Sequence, residues 1–364
     1  MMNEHLHEDG ITLLRQLIAT PSFSREEDRT AGLIFDFLKS RGVHCHRYLN
    51  NIWAVNAHFD PARETILLNS HHDTVKPNPQ YTRDPFSPEI LDGKLYGRGS
   101  NDAGGCLVSL ICAFLHFHSA KNLSCNLALA ATAEEEVSGK NGIESLLVEP
   151  AFAARFRDSG FCGAIVGEPT QMNLAIAEKG LMVLDCTAHG KAGHAAREEG
   201  DSALYKAIRD IEWFRTYQFE KVSEWLGPVK MSVTSIETEN KAHNVVPGSC
   251  HFIVDIRITE DYTHDEILER IQQHVQSEVK PRSIRMRSTL IPQDHPLVRS
   301  GMAQGKKPYG SPTSSDKALM PFPSLKCGPG FSGRSHTADE FIFVDEVKKG
   351  IDDYIDILKG VLFP

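Results

Sequence analysis

The chain reads as an α/β protein interrupted by a small two-layer α+β domain. Three features predict this. Apolar, β-prone runs alternate with helical segments through residues 1–178, the pattern of a sheet covered by helices. From about residue 179 to 288 the order becomes strand, helix, strand, strand, helix, strand. The remaining segment, 289–364, rejoins the first domain and ends in one more amphipathic helix. With 364 residues, the chain also exceeds the roughly 250–300 at which single cores stop growing.

Taken in order, Ile11–Ile18 is a helical stretch that stops at Thr20-Pro21-Ser22, and Glu26–Leu38 is a second, closed by the C-cap signal Ser40-Arg41-Gly42. Short strands follow at Ile52–Val55 and Thr65–Leu68. Ala103–His118 has helical length, Leu127–Ala131 returns to strand, and Ala164–Val166 is a buried run. In the inserted part the strands are Leu181–Thr187, Val229–Ile236, His251–Ile258 and Ser283–Thr289, with helices at Ser202–Phe214 and His264–Val275. That succession is the ferredoxin-like order. The last helix is expected near Asp345–Leu358.

A net charge of −9 argues against nucleic acid or an anionic membrane as partner. The N-terminus, Met1 to Gly10, lacks the basic start and apolar core of a signal peptide. No apolar run approaches the roughly 20 residues of a membrane span, and the most hydrophobic, Cys106–Phe117, contains Ser109 and His116. A cytoplasmic protein is expected. The eight cysteines form no Cys-x-x-Cys pair and read as reduced, buried thiols.

Five acidic and histidine motifs punctuate this framework: Ser70-His71-His72-Asp73, Asn101-Asp102, Glu134-Glu135-Glu136, Gly167-Glu168-Pro169, and His336 ahead of Asp339-Glu340. A histidine at a strand end is by itself usually a hydrogen-bonded core or surface residue. Here His71 can offer one ring nitrogen to a metal while Asp73, on the same side of an extended chain, fixes the ring; His72 should face away. The glycine-rich stretch Gly97–Gly105 is not a phosphate cradle, because Asp102 would repel the phosphate and no Lys-Ser/Thr follows. Three adjacent glutamates on a helix would be a solvated face. After a strand, without nearby Lys or Arg, they call for a cation.

With these residues in view, the sequence resembles the di-zinc amidohydrolase and exopeptidase family that includes acetylornithine deacetylase, succinyl-diaminopimelate desuccinylase, aminoacylase and glutamate carboxypeptidase. Gly190–His194, Asn244-Val245-Val246-Pro247 and Asp255-Ile256-Arg257 extend the resemblance into the inserted domain. It implies a zinc-exopeptidase-like catalytic domain, 1–178 with 289–364, whose mixed sheet is flanked by helices, and a lid or dimerisation domain, 179–288. It further implies two Zn2+ per chain, replaceable by Co2+. Asp102 would bridge them, His71 and Glu168 completing one ion, Glu136 and His336 the other. Glu135 falls on the general-base position and Asp73 on the residue orienting His71. The bond after Asp102 matches a cis non-proline peptide.

The same resemblance makes His194 a donor to the developing oxyanion, often supplied across a dimer interface. Arg257 and Asn244 would hold a substrate carboxylate, although a salt bridge within the sheet is the commoner fate of such an arginine. Ser315, in Thr313-Ser314-Ser315-Asp316, and Gly330, in Gly328-Pro329-Gly330, fall near the substrate. One departure is Asp102-Ala103-Gly104-Gly105, where many relatives carry a lysine at the place of Gly104. The expected reaction is deacylation of a small N-acyl-L-amino acid, N-acetyl-L-ornithine first among them, giving L-ornithine and acetate in arginine biosynthesis. N-succinylornithine, N-acetylcitrulline, succinyl-diaminopimelate and dipeptides remain open, with Lys76, Arg98 or Arg197 as candidate cations for a succinyl carboxylate. A catalytically silent metal-binding dimer is the non-enzymatic alternative. A homodimer formed through the lid domain is expected.

Overall fold

The computed structural model describes residues 2–197 and 199–363. The chain divides into two compact units: Met1–Ile176 with Ile291–Tyr309 and Ser315–Pro364, and Ala177–Leu290 with Gly310–Ser314. The short return segment joins the second unit because Lys179 N donates to Ser311 O at 3.1 Å and Ser314 Oγ to Lys179 O at 2.8 Å.

The first unit is built on a mixed sheet ordered Cys45–Tyr48, Asn51–Val55, Asn126–Thr132, Thr65–His71, Phe161–Val166, Ser324–Lys326, then Leu174–Glu178. Asn126–Thr132, Thr65–His71, Phe161–Val166 and Ser324–Lys326 run parallel. The central strands Thr65–His71 and Asn126–Thr132 are buried along their whole length. Continuous burial explains why they read as unbroken apolar runs rather than alternating ones.

The helices Met2–Ile18, Gly105–His118 and Val344–Leu362 pack together in this unit. The first begins well before Ile11. Gly10 does not break it, because a Cβ there would lie 3.1 Å from Cys112 Sγ, so the glycine permits close packing on Gly105–His118. That central helix and the turn before it, Ser100–His118, are in fact long and apolar enough to cross a membrane, contrary to the sequence expectation; 83% of the apolar window is buried inside the protein, the placement of a core helix.

The second unit carries an antiparallel sheet ordered Lys230–Thr238, Ser249–Ile258, Gly180–His189, Glu278–Pro281, with helices Ala203–Thr216 and His264–Gln272. Alternate residues of Gly180–His189 and Ser249–Ile258 are buried. Met182, Leu184, Cys186, Phe252, Val254 and Ile256 pack there with Ala207, Phe214, Ile267 and Ile271 of the helices, which is the ferredoxin-like arrangement. The last strand is Glu278–Pro281, not Ser283–Thr289. Beyond the Pro281–Leu184 pair the following residues keep isolated bonds to the neighbouring strand, Arg282 N to Val183 O at 2.9 Å and Leu181 N to Met286 O at 3.0 Å.

Candidate active site

Every candidate ligand of the first unit follows the C-terminal end of a buried element or sits in a tight turn, the place where open α/β sheets present ligands. His71 is the last residue of its strand. Glu135 and Glu136 follow the strand ending at Thr132, and Glu168 follows the strand ending at Val166. Asp102 lies in the irregular turn Ser100–Gly104, ahead of the central helix, with a cis peptide bond to Ala103. His336 comes from the far end of the chain and has φ +61°, a conformation uncommon for a non-glycine residue.

These side chains converge. One ligand atom each from His71, Asp102 and Glu168 lie within 4.8 Å of one another, and so do those of Asp102, Glu136 and His336; Asp102 belongs to both groups. His71 Nε2 faces Asp102 Oδ1 at 3.4 Å, Glu168 Oε1 at 3.7 Å and Glu135 Oε2 at 3.9 Å. It is buried and has no hydrogen-bond partner among the described residues. A buried ring nitrogen without a partner is costly, and one ringed by carboxylates fits a cation. The opposite nitrogen, Nδ1, is 3.0 Å from Asp73 O and 3.4 Å from the Asp73 carboxylate, so Nε2 is left to face the centre. His336 Nε2 lies 2.9 Å from Glu136 Oε2 and 3.7 Å from Asp102 Oδ2.

The electrostatics follow from this crowding. Burial pushes the Glu135 carboxyl well above its ordinary value, and the charge of Glu168 adds to the push. Burial works against the charged form of His71, yet Asp102 and Asp73 raise it well above 6.5. Burial likewise opposes ionisation of Asp102, but His71, Ser335 and His336 hold its carboxyl low. His336 is raised, mainly by Glu136.

Asp73 does more than face His71. Its carboxylate accepts Glu135 N at 3.0 Å, Glu136 N at 3.2 Å and Ser24 Oγ at 2.7 Å, and so fixes the turn that carries both glutamates. Glu134 separates from its neighbours: its carboxylate accepts Asn141 Nδ2 at 2.8 Å and Asn141 N at 3.3 Å, so that charge is met by hydrogen bonds within the chain. His72 faces away, its ring bonded to Thr30 Oγ1 and Asn50 O, both at 2.9 Å.

Two carboxylates to which sequence reasoning gave no role belong to this centre. Asp316 is buried, accepts Thr132 Oγ1 at 2.7 Å and is pushed up to about 6 by burial. Glu340 is completely buried, bonded to Arg98 NH1 at 3.0 Å, and is pushed up to about 7 by burial despite that arginine. Arg98 is buried with one terminal nitrogen bonded to Glu340, while its Nε and its other terminal nitrogen have no hydrogen-bond partner among the described residues. Ser315 is fully buried. Gly330 has φ +86°, and a Cβ there would lie 2.5 Å from Asn101 Oδ1.

His194, Asn244 and Arg257 belong to the second unit. A two-stranded ribbon pairs His194 with Val245, and Ala195 N donates to Asn244 O at 2.9 Å, so the two exposed side chains of His194 and Asn244 come from adjoining positions. Arg257 forms a fork with Asp255 of its own strand, at 2.8 and 3.1 Å.

The profile of the peptidase family M20/M25/M40 matches residues 67–360. A succinyl-diaminopimelate desuccinylase 2 of Ruegeria sp. (strain TM1040) is 27% identical over 281 residues, covering 74% of this chain and 70% of the relative. A succinyl-diaminopimelate desuccinylase of Wolbachia pipientis subsp. Culex pipiens (strain wPip) is 26% identical over 381 aligned positions, covering 98% and 94%. Among solved structures, the M20 family metallo-carboxypeptidase Sso-CP2 of Sulfolobus solfataricus superposes with a TM-score of 0.75 at 17% identity, covering 98% of this chain and 99% of that one.

Proposed function

This chain belongs to the peptidase family M20/M25/M40 and is a metal-dependent amide hydrolase; we propose that it deacylates a small N-acyl-L-amino acid with two Zn2+ held by His71, Asp102, Glu136, Glu168 and His336. The partnerless, buried His71 Nε2 amid carboxylates carries this reading. In it, Asp102 is the shared ligand, His71 and Glu168 complete one ion, and Glu136 and His336 complete the other. Such ions, when bound, lower the pKa of water and polarise an acyl carbonyl.

Glu135 is the general base in this reading. Its carboxylate receives the proton of the attacking water and returns it to the departing amine. His194 donates a hydrogen bond to the oxyanion, and Asn244 and Arg257, with Ser315 and Gly330, hold the remainder of the substrate. Since Asp255 occupies the Arg257 fork, the substrate carboxylate would meet the remaining NH1 face. The second unit acts as lid and dimerisation domain.

The names of the two relatives favour a succinyl group, hence N-succinyl-diaminopimelate; the reading as N-acetyl-L-ornithine rests on motif spelling. A cytoplasmic location belongs to the same proposal, in keeping with eight free cysteines. Chelation should abolish amide hydrolysis, and Zn2+ or Co2+ should restore it; a chelator-resistant enzyme would end the metal reading. A kcat/KM panel of N-succinyl-diaminopimelate, N-acetylornithine, N-succinylornithine, N-acetylcitrulline and a dipeptide assigns the substrate. Inertness of the zinc-loaded protein towards all of them would favour the silent scaffold.

A further inference from the structure

Glu340 stands four residues beyond His336 and is completely buried, an unusual place for a carboxylate whose charged partner among the described residues is Arg98 alone. Its two oxygens are fully engaged. Oε2 accepts Arg98 NH1 at 3.0 Å and Gly99 N at 3.1 Å, while Oε1 accepts Asn101 N at 2.9 Å and Asp102 N at 3.0 Å. Its backbone oxygen accepts Gly97 N at 2.9 Å. One side chain thus holds three N–H groups of the turn that presents Asp102. These donors open the irregular turn ahead of the central helix, where an N–H has no acceptor within the helix.

The same two segments are joined a second time. Asn101 Nδ2 donates to Phe331 O at 3.1 Å, and Asn101 Oδ1 accepts Phe331 N at 3.1 Å. The segment that carries His336 is therefore tied to the Asp102 turn on both sides of the histidine, at Phe331 and at Glu340. A third tie, Asp339 Oδ1 accepting Thr82 N at 2.9 Å and Arg83 N at 3.0 Å, fixes the segment to a separate loop.

We propose that Glu340 is the positioning residue of the shared ligand: by clamping the backbone of residues 99–102 it sets Asp102 relative to both His71 and His336, so that both metal positions depend on it. This rests on the two-metal reading of the site. Glu340 is outside both candidate ligand groups and acts through Asp102. Its effect therefore differs from that of a ligand such as His336, which serves one ion, and from that of an ordinary buried ion pair, which serves stability alone.

The test is a Co2+ titration of wild type, Glu340→Gln and His336→Ala, followed by visible absorption and chelator competition, with circular dichroism and thermal unfolding of the metal-free proteins alongside. Glu340→Gln keeps the shape but removes the charge and turns an NH2 group towards backbone donors. The expected result is a dissociation constant raised about 10- to 100-fold, the usual effect of losing an outer partner, for both equivalents, with an altered Co2+ spectrum. His336→Ala should weaken only one equivalent. Should Glu340→Gln not fold, Glu340→Asp, which keeps the charge but withdraws it by one methylene, is expected to show the same loss at both sites. A variant that unfolds at lower temperature yet binds two Co2+ with wild-type affinity and spectrum overturns the positioning role, as does a loss confined to one equivalent. Wild-type protein binding fewer than two ions would instead defeat the two-metal reading, and this proposal with it.

Discussion

Glu135 and its neighbours Glu134 and Glu136 are one residue type in three environments. Asn141 satisfies Glu134, His336 lies against Glu136, and Glu135 is left with burial and the charges of Glu168 and Asp316 to raise its pKa. Removing the proton acceptor while keeping the shape, Glu135→Gln, should leave two metals per chain and lower kcat by about 100- to 10,000-fold; metal analysis with steady-state kinetics checks it, and an active variant would take Glu135 out of the mechanism. His72 gives a prediction about folding rather than chemistry. Burial lowers its pKa from 6.5 to about 4, so between those values the unfolded chain takes up a proton that the folded chain refuses. Stability is thus lost as pH falls from 6.5 towards 4. From pH 7.5 to 5 this amounts to about 2 kcal/mol at 1.36 kcal/mol per unit. Urea unfolding of the metal-free protein should show wild type losing about that much more than His72→Gln; equal losses would mean that His72 takes its proton in the fold.

At the scale of the element, the turn Gly97–Gly105 shows how backbone contact decides residue choice. Gly104 N donates to Gly99 O at 2.9 Å, and a Cβ at 104 would overlap that same oxygen and press Leu14 Cδ1 at 2.8 Å. A glycine at 104 therefore suits this particular turn. Gly104→Lys should destabilise by about 1–3 kcal/mol, the range for overpacking, measured by urea unfolding; an unchanged midpoint would mean the turn relaxes freely. This is also where legibility ends. Strand ends carrying His71, Glu136 and Glu168 were readable because hydrophobic runs mark the sheet, and the motif order carried the rest of the ligand candidates. Glu340 and Asp316 were not given roles because their partners lie 238 positions away for Asp102 and 184 for Thr132, and no local pattern encodes such a meeting. The strand read at Ser283–Thr289 lies too late in the chain, because the ladder with Gly180–His189 is made by Glu278–Pro281. The helical stretch read from the sequence starts at Ile11, whereas the helix itself begins at Met2.

For the whole molecule, the second unit raises the question of assembly. It has its own core, yet its helix Ala203–Thr216 leaves Tyr205 74% and Ile208 49% exposed. These residues are three apart and share a face, opposite the one that buries Ala207 and Phe214. The strand Lys230–Thr238 is one of the two outer strands of the sheet, and exposes Ile236. An apolar helix face beside an open strand edge suits pairing with a second copy. On that basis Tyr205→Glu combined with Ile208→Lys should give monomers by light scattering where wild type gives dimers, with circular dichroism and metal content unchanged. If His194 of one protomer serves the centre of the other, kcat should fall together with the dimer, by about 100- to 1000-fold as for loss of an oxyanion donor. Dilution of wild type through its dissociation range should trace the same fall. Monomers with full kcat would place His194 within its own chain or remove it from the reaction, and monomeric wild type would rule out the dimer itself.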